Sequence, residues 1–158
     1  MLYSYAGFKV EVVERQDVVR RIRIAGRAEK ELPALPLNMK LDLSRFTPFE
    51  RAVMQKAREI PPGKVTTYAT LARLAGYPRA ARAVGNVMAK NPFPIVVPCH
   101  RVVRSDLRLG GYAYGSEVKR SLLLAEGVAF AGERVAEASV WRPGKTYISS
   151  PSQRIYGD

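Results

Sequence analysis

Two β-branched runs near the N-terminus, residues 8–14 and 18–24, are separated by a polar Arg-Gln-Asp stretch. This pattern predicts a β-hairpin, read here as scaffold. Between residues 32 and 43 the chain carries Pro33 and Pro36 and no helical period, so an extended connector is expected, with a boundary near Ser44. Thr47-Pro48-Phe49-Glu50 then supplies an N-cap, a proline at the first helical position and a glutamate that closes a capping box. Phe49, Val53, Ala57 and Ile60 form the apolar stripe of that helix, and Pro61-Pro62-Gly63 ends it.

Thr66 or Thr67 can cap a second, short helix with Tyr68, Leu71, Ala72 and Ala75 on its buried face and Gly76 as its stop. A third helix is expected to start at Pro78, with Ala81, Val84 and Met88 at helical spacing and Asn91-Pro92 closing it. Two short helices around a Gly-Tyr-Pro corner make a helix-turn-helix pattern. Residues 94–103 read as two short β-branched runs broken at Pro98-Cys99-His100. A glycine-rich loop, residues 110–115, leads into a helix over about residues 116–125, with Val118, Leu122 and Ala125 inward and Gly127 at its end. Residues 128–158 carry no functional signal. The expected architecture is α/β (α+β): a small N-terminal β-hairpin domain with its connector (1–45), a helix-turn-helix, winged-helix-like domain (46–127) and a C-terminal extension of unassigned role (128–158).

A length of 158 residues with 47% hydrophobic and 25% charged positions suits a globular chain. No apolar stretch is long enough to span a bilayer, and the first residues lack the basic-then-apolar order of a signal peptide, so an intracellular, cytoplasmic protein without membrane partners is expected. The net charge of +12 is uneven. Residues 64–108 hold Lys64, Arg73, Arg79, Arg82, Lys90, Arg101, Arg104 and Arg108 against the single acid Asp106. Such a segment suits a polyanion such as DNA, although a solvated surface would look the same. The small residues around Arg82 on the third helix, Ala80, Ala81, Ala83 and Gly85, permit close approach to another surface or to the protein's own core.

A chain with one cysteine forms no internal disulfide and no thiolate metal cluster, and Cys99 is therefore either a buried apolar side chain or a reactive thiol; neither a metal nor a cofactor is expected. A thiol with an ordinary pKa of about 8.5 needs a base or a positive charge to react near neutrality. His100, the only histidine, is the obvious base. Neighbouring side chains on an extended strand diverge, which favours a bridging water between the two over direct contact. Glu126, near the negative end of a helix dipole, stands against local preference and would be explained by a role in orienting His100, as a Cys-His-Glu relay.

With these residues assembled, Pro98-Cys99-His100-Arg101-Val102 closely resembles the active-site signature of the O6-alkylguanine-DNA alkyltransferases. Residues 62–68, the helix over 79–85, Asn91-Pro92, Tyr112 and the Ala125-Glu126-Gly127 ending resemble that family in the same order. The resemblance covers roughly residues 46–127. It implies single-turnover, irreversible transfer of an alkyl group from O6 of guanine in double-stranded DNA to Cys99, by a monomer. The third helix would enter the minor groove, and Arg82 would replace a flipped nucleotide in the stack. By the same resemblance His100, Glu126, Tyr68 and Asn91 join Cys99 in catalysis: Tyr68 donates a hydrogen bond to the leaving guanine and Asn91 braces the turn carrying Cys99. DNA contacts would come from Arg82, Ala81, Ala83, Gly85, Thr67 and Arg101, and the base pocket from Tyr112, Met88, Pro94, Val97, Ala113 and Tyr114.

Three departures accompany the resemblance. Residues 1–45 look like a reduced N-terminal domain without the cysteines that bind zinc in some members. Ala113 stands where serine is common and Tyr114 where glycine is frequent, which narrows the pocket. The tail beyond Gly127 is also longer than expected. The alternatives are an alkyltransferase-like module that binds lesions without accepting the alkyl group, whose members lack the cysteine; a winged-helix DNA-binding protein in which Cys99 is only core; and, last, a Cys-His hydrolase.

Overall fold

The two N-terminal apolar runs pair as the expected hairpin, and a further strand precedes them. In the computed structural model, which describes residues 1–144, β1 (Leu2–Tyr5), β2 (Phe8–Arg15) and β3 (Val18–Arg27) make an antiparallel sheet in that order. Its turns are Ala6-Gly7 and Gln16-Asp17, each with positive φ at both residues. That is the two-residue geometry whose twist matches the flanking strands. β1 escaped the sequence pattern because Leu-Tyr-Ser-Tyr has no β-branched residue. Phe8, Val10 and Val12 of β2 and Val19, Ile22 and Ile24 of β3 are buried on one face. The connector is extended as expected and touches both edges of the sheet, through bridges from Ala34 to Ser4 and from Leu41 to Val19.

Helix α1 (Pro48–Ala57) carries the expected capping box: Glu50 N–H donates to Thr47 Oγ1 at 3.1 Å, and Thr47 N–H to Glu50 Oε1 at 2.9 Å. Val53, Met54, Ala57 and Ile60 are buried from it onward. α2 (Tyr68–Leu74) is capped by Thr67, and α3 (Ala81–Ala89) follows. Pro78 does not start α3. It lies in a turn closed by Ala80 N–H to Tyr77 O at 3.0 Å, and the helix begins three residues after the proline without a side-chain cap.

Two short strands, β4 (Thr66–Thr67) and β5 (Val102–Val103), pair in parallel. The apolar run before Pro98 is not a strand. Pro94 and Pro98 have no N–H to give a ladder, and the segment folds into turns with Val97 N–H on Phe93 O and with Ile95 at φ 74°. Cys99–Arg101 then forms one 3-10 turn. Helix α4 spans Ser116–Ala125 as expected, but its inward face is turned from the expected one. Lys119, Leu122 and Leu123 are buried, whereas Ala125 is exposed. Glu126 is the C-cap residue rather than part of the last turn.

Residues 128–141 belong to the body. The hairpin of β6 (Phe130–Ala131) and β7 (Arg134–Val135) packs through Val128 and Val135 on Val65, Val103 and Leu123. Val140 bridges to Val65, and Trp141 enters the main core. The remainder of the expected extension, residues 145–158, lies outside the described residues. The main core runs without interruption from Phe8, Val10 and Ile24 of the sheet to Met54, Leu71, Val84 and Cys99, so the N-terminal sheet and the helices share one interior. Among the described residues, the helices segregate from small, mostly antiparallel sheets, which is the α+β arrangement.

Candidate active site

Cys99 opens the 3-10 turn between the proline-rich segment and β5, and its backbone N–H donates to Val97 O at 2.8 Å. Asn91 braces this turn: its Nδ2 donates to Val97 O at 2.8 Å, and its Oδ1 accepts Phe93 N–H at 2.9 Å. Burial pushes the Cys99 thiol upward from its ordinary pKa, while the Asn91 amide, the Lys119 charge and the backbone amides of Cys99 and His100 act in the opposite direction. The resting group is therefore a thiol that needs a base.

His100 is wholly buried, with Nε2 at 3.0 Å from both carboxylate oxygens of Glu126. An ionised carboxylate only accepts hydrogen bonds, so Nε2 carries the proton and Nδ1 is left as the basic nitrogen. Nδ1 is buried and has no hydrogen-bond partner in the protein. Burial lowers the His100 pKa, which keeps the ring neutral near pH 7 despite the carboxylate. Burial alone would raise the Glu126 pKa, but His100 and Arg101 hold it far below the usual carboxylate range. The structure thus brings His100 and Glu126 together as expected. No hydrogen bond joins the Cys99 and His100 side chains among the described residues.

Arg101, expected among the DNA contacts, turns its side chain inward instead. Its side chain is 6% exposed. Nε and Nη2 hold the two Glu126 oxygens at 2.9 and 2.7 Å, and Nη1 donates to Ile60 O at 2.8 Å. An arginine tied in this way is held in place, because releasing it would leave the buried carboxylate uncompensated. Gly63 belongs to the same corner. Its φ is 88°, and a Cβ there would lie 3.0 Å from the Glu126 backbone oxygen, so only glycine lets the Pro61–Gly63 turn pass.

Two residues of the site went unread in the sequence. Lys119 lies within α4 and is wholly buried, with Nζ donating to Val102 O at 2.8 Å and Gly111 O at 3.2 Å. It ties β5 to the glycine-rich loop. Burial lowers its pKa to about 8, with the nearby Cys99 favouring its charge. A helical lysine normally reads as surface, and only a helical phase centred on residues 119, 122 and 123 would have flagged it. Tyr5, whose hydroxyl donates to Glu126 Oε2 at 2.5 Å, is separated from it by 121 positions and carries no local signal.

A cavity of about 390 Å³ opens on Cys99 and is lined by Tyr68, Gly85, Met88, Ala89, Asn91, Pro94, Gly111, Tyr112, Ala113 and Tyr114. Five of the six residues expected in a base pocket meet here. Val97 does not: its side chain is wholly buried in the core, and it serves the site only through its carbonyl. Tyr112 and Tyr114 stand with ring centroids 5.7 Å apart, and the buried Tyr112 hydroxyl has no partner in the protein. Burial raises the pKa of Tyr112, and burial together with Cys99 raises that of Tyr68. Both phenols therefore keep their protons at neutral pH and are able to donate them in hydrogen bonds.

Helix α3 forms one rim of the cavity. Arg82 and Ala83 are exposed, Ala81 and Gly85 half-buried, and a Cβ on Gly85 would stand 3.9 Å from the Tyr68 ring. Arg82 makes no hydrogen bond or ion pair among the described residues. The Thr67 hydroxyl, in contrast, is engaged in capping α2 through Thr70 N–H at 3.1 Å. No helix of the described residues is long and apolar enough to cross a membrane.

Residues 48–128 match the family described as 6-O-methylguanine DNA methyltransferase, DNA binding domain. A methylated-DNA--protein-cysteine methyltransferase of Methanothermobacter thermautotrophicus is 43% identical over 94 residues, 59% of this chain and 52% of that protein. The chain spans about half the length of the curated relatives it matches. Among solved structures, Mycobacterium tuberculosis OGT in complex with DNA aligns with a TM-score of 0.66 at 28% identity, covering 80% of this chain and 91% of that one. Schizosaccharomyces pombe Atl1, solved with damaged DNA containing O6-carboxymethylguanine, aligns with a TM-score of 0.53 at 32% identity over 63% of this chain and 99% of that one. The matched stretch contains α1 to α4, the braced Cys99 turn and the His100–Glu126 pair, and through it the chain belongs to the 6-O-methylguanine DNA methyltransferase family.

Proposed function

We propose that this protein repairs DNA by transferring an alkyl group from O6 of guanine to Cys99, once per molecule and without a cofactor. The observation that carries the reading is the single cysteine at the floor of a base-sized cavity. Behind it stands a buried imidazole whose free nitrogen has no other partner. The protein acts as a monomer in the cytoplasm on double-stranded DNA carrying O6-alkylguanine. In the first step α3 enters the minor groove. Arg82 fills the place of the damaged nucleotide as that base turns into the cavity, which offsets part of the few kcal/mol lost in unstacking. Ala81, Ala83 and Gly85 keep the helix thin enough for that approach, and the half-buried Thr67 flanks it through its backbone.

In the cavity, the Cys99 proton passes to His100 Nδ1 through a bridging water, and Glu126 stabilises the imidazolium that results. Lys119 and the Asn91 amide favour the thiolate while it exists. The sulfur then attacks the alkyl carbon. A carbon–sulfur bond forms as the carbon–O6 bond breaks, and the electron pair of that bond goes to the guanine, where Tyr68 donates a hydrogen bond to the developing charge. Tyr112 lines the base with Met88, Pro94, Ala113 and Tyr114, and the narrow wall at Ala113–Tyr114 favours small alkyl groups. No second cysteine is present to resolve the thioether, so the protein is consumed.

Incubation with a methylguanine-containing duplex followed by intact mass spectrometry tests the reading. One methyl group added per chain, mapped to the Cys99 peptide, is the expected result. Binding of the lesion with no mass change would replace transfer by recognition alone.

A further inference from the structure

The N-terminal sheet, which the reaction above does not use, reaches into the site through one side chain. Tyr5 closes β1 just before the Ala6-Gly7 turn, paired with Phe8 on β2. Its hydroxyl donates to Glu126 Oε2 at 2.5 Å and receives a long contact from Arg101 Nη2 at 3.4 Å. Glu126 is thereby held from three sides: by His100 on both oxygens, by the Arg101 fork and by Tyr5 on Oε2 alone. Phenylalanine would satisfy the packing at this half-buried place. The phenol does something more, because a donor to a carboxylate takes up part of its negative charge.

We propose that Tyr5 is a positioning residue of the alkyl-transfer site, its hydroxyl fixing the face and the effective charge that Glu126 presents to His100. The inference rests on the transfer reading above. It makes the sheet a component of the relay rather than a scaffold beside it. The groups that act directly on the His100 proton equilibrium are Glu126 and Arg101 and, from α4, Lys119; Cys99 stands on the same turn, and Tyr112 from the glycine-rich loop and Tyr5 from β1 interact with Glu126. Of these, Tyr5 alone belongs to the N-terminal sheet. Removing its hydroxyl leaves Oε2 one donor short, so the carboxylate leans harder on the imidazole. The ring becomes more basic, while the orientation of Glu126 loosens.

His100 is the only histidine, so its NMR titration is read without ambiguity. In the full chain, Tyr5→Phe is expected to raise the His100 titration by roughly half a pH unit. The same variant should slow single-turnover transfer at saturating lesion duplex about tenfold, with DNA affinity unchanged. A fluorinated tyrosine at position 5, a stronger donor in the same shape, must move the titration the opposite way and decides the matter should Tyr5→Phe fold poorly. An unmoved His100 titration in both proteins overturns the proposal, as does a transfer rate that falls only with the folded fraction. If the unmodified protein leaves Cys99 without an adduct, the transfer reading falls, whereas the titration shift still decides the role of Tyr5.

Discussion

Behind Cys99, Glu126 accepts hydrogen bonds from His100, Arg101 and Tyr5, and each of these side chains is buried or half-buried. In front of it, on the outer face of α3, Arg82 is exposed and engages nothing among the described residues. The two regions have opposite electrostatic designs. The rear is a closed network whose charges cancel within the protein, so its geometry is set before any ligand arrives. The front is an exposed, basic face on a helix of small residues, and Arg82 there has no counter-charge among the described residues. On the proposed function, chemistry and recognition are separable in this molecule. Variants of each region should therefore change different measurements.

Cys99→Ser is the largest expected break. Transfer to the protein should vanish by mass spectrometry, while affinity for lesion duplex stays within about twofold, since the front remains intact. Next comes Glu126→Gln, which leaves Arg101 as a buried cation with a neutral partner. Loss of one member of such a pair costs about 3–5 kcal/mol of stability, read by denaturant unfolding, and the transfer step should slow on the order of a hundredfold with DNA affinity little changed. The pH dependence follows from the depressed Glu126 pKa. Its stabilising contribution is fully present above the carboxylate's unfolded pKa and is lost as pH falls through the folded value. The acid limb of the stability profile should therefore flatten in Glu126→Gln. An unchanged acid limb would mean that this carboxylate is not bound as described.

Arg82→Ala tests the front alone. Reaction with lesion duplex should slow about tenfold and lose part of its salt dependence, while reaction with the free alkylated base stays near the original rate. Equal loss on both substrates would contradict the separation of the two regions. The smallest effect concerns Lys119, whose folded pKa of about 8 lies below the ordinary lysine value. Between those two pH values the unfolded chain binds more protons than the folded one, so stability should rise with pH there. The slope is on the order of 1 kcal/mol per pH unit, and it is absent from Lys119→Met. Thermal unfolding of the two proteins from pH 7.5 to 10.5 reads the difference.

Local signals carried the elements with local causes. The Thr47–Glu50 capping box and α4 from Ser116 to Ala125 were legible because capping groups and stop residues lie within a few positions of one another. The meeting of His100 with Glu126 was legible from residue type, and five of the residues that line the Cys99 cavity from the family resemblance. Other assignments failed where a local rule met a tertiary demand. Arg101 looked like a phosphate contact because arginines usually lie on surfaces, and it is buried because Glu126, 25 positions away, needs a fixed cation. Val97 looked like a pocket wall, and its side chain turned into the core while its carbonyl took the Asn91 bond.

By itself the sequence determined that one thiol beside one imidazole stands at a proline-made corner, within a basic stretch of short helices. Those are properties of residue type and short spacing, which no packing arrangement alters. Tertiary structure alone decided which further partners close the site: the Arg101 guanidinium and a phenol from the first strand on Glu126, and an ammonium buried in α4 beneath the Cys99 turn. Contacts across 25 to 121 positions have no periodicity for a local pattern to register. They arise when the single shared core brings the sheet, the Cys99 turn and α4 together, and burial then requires hydrogen-bond partners for each charge.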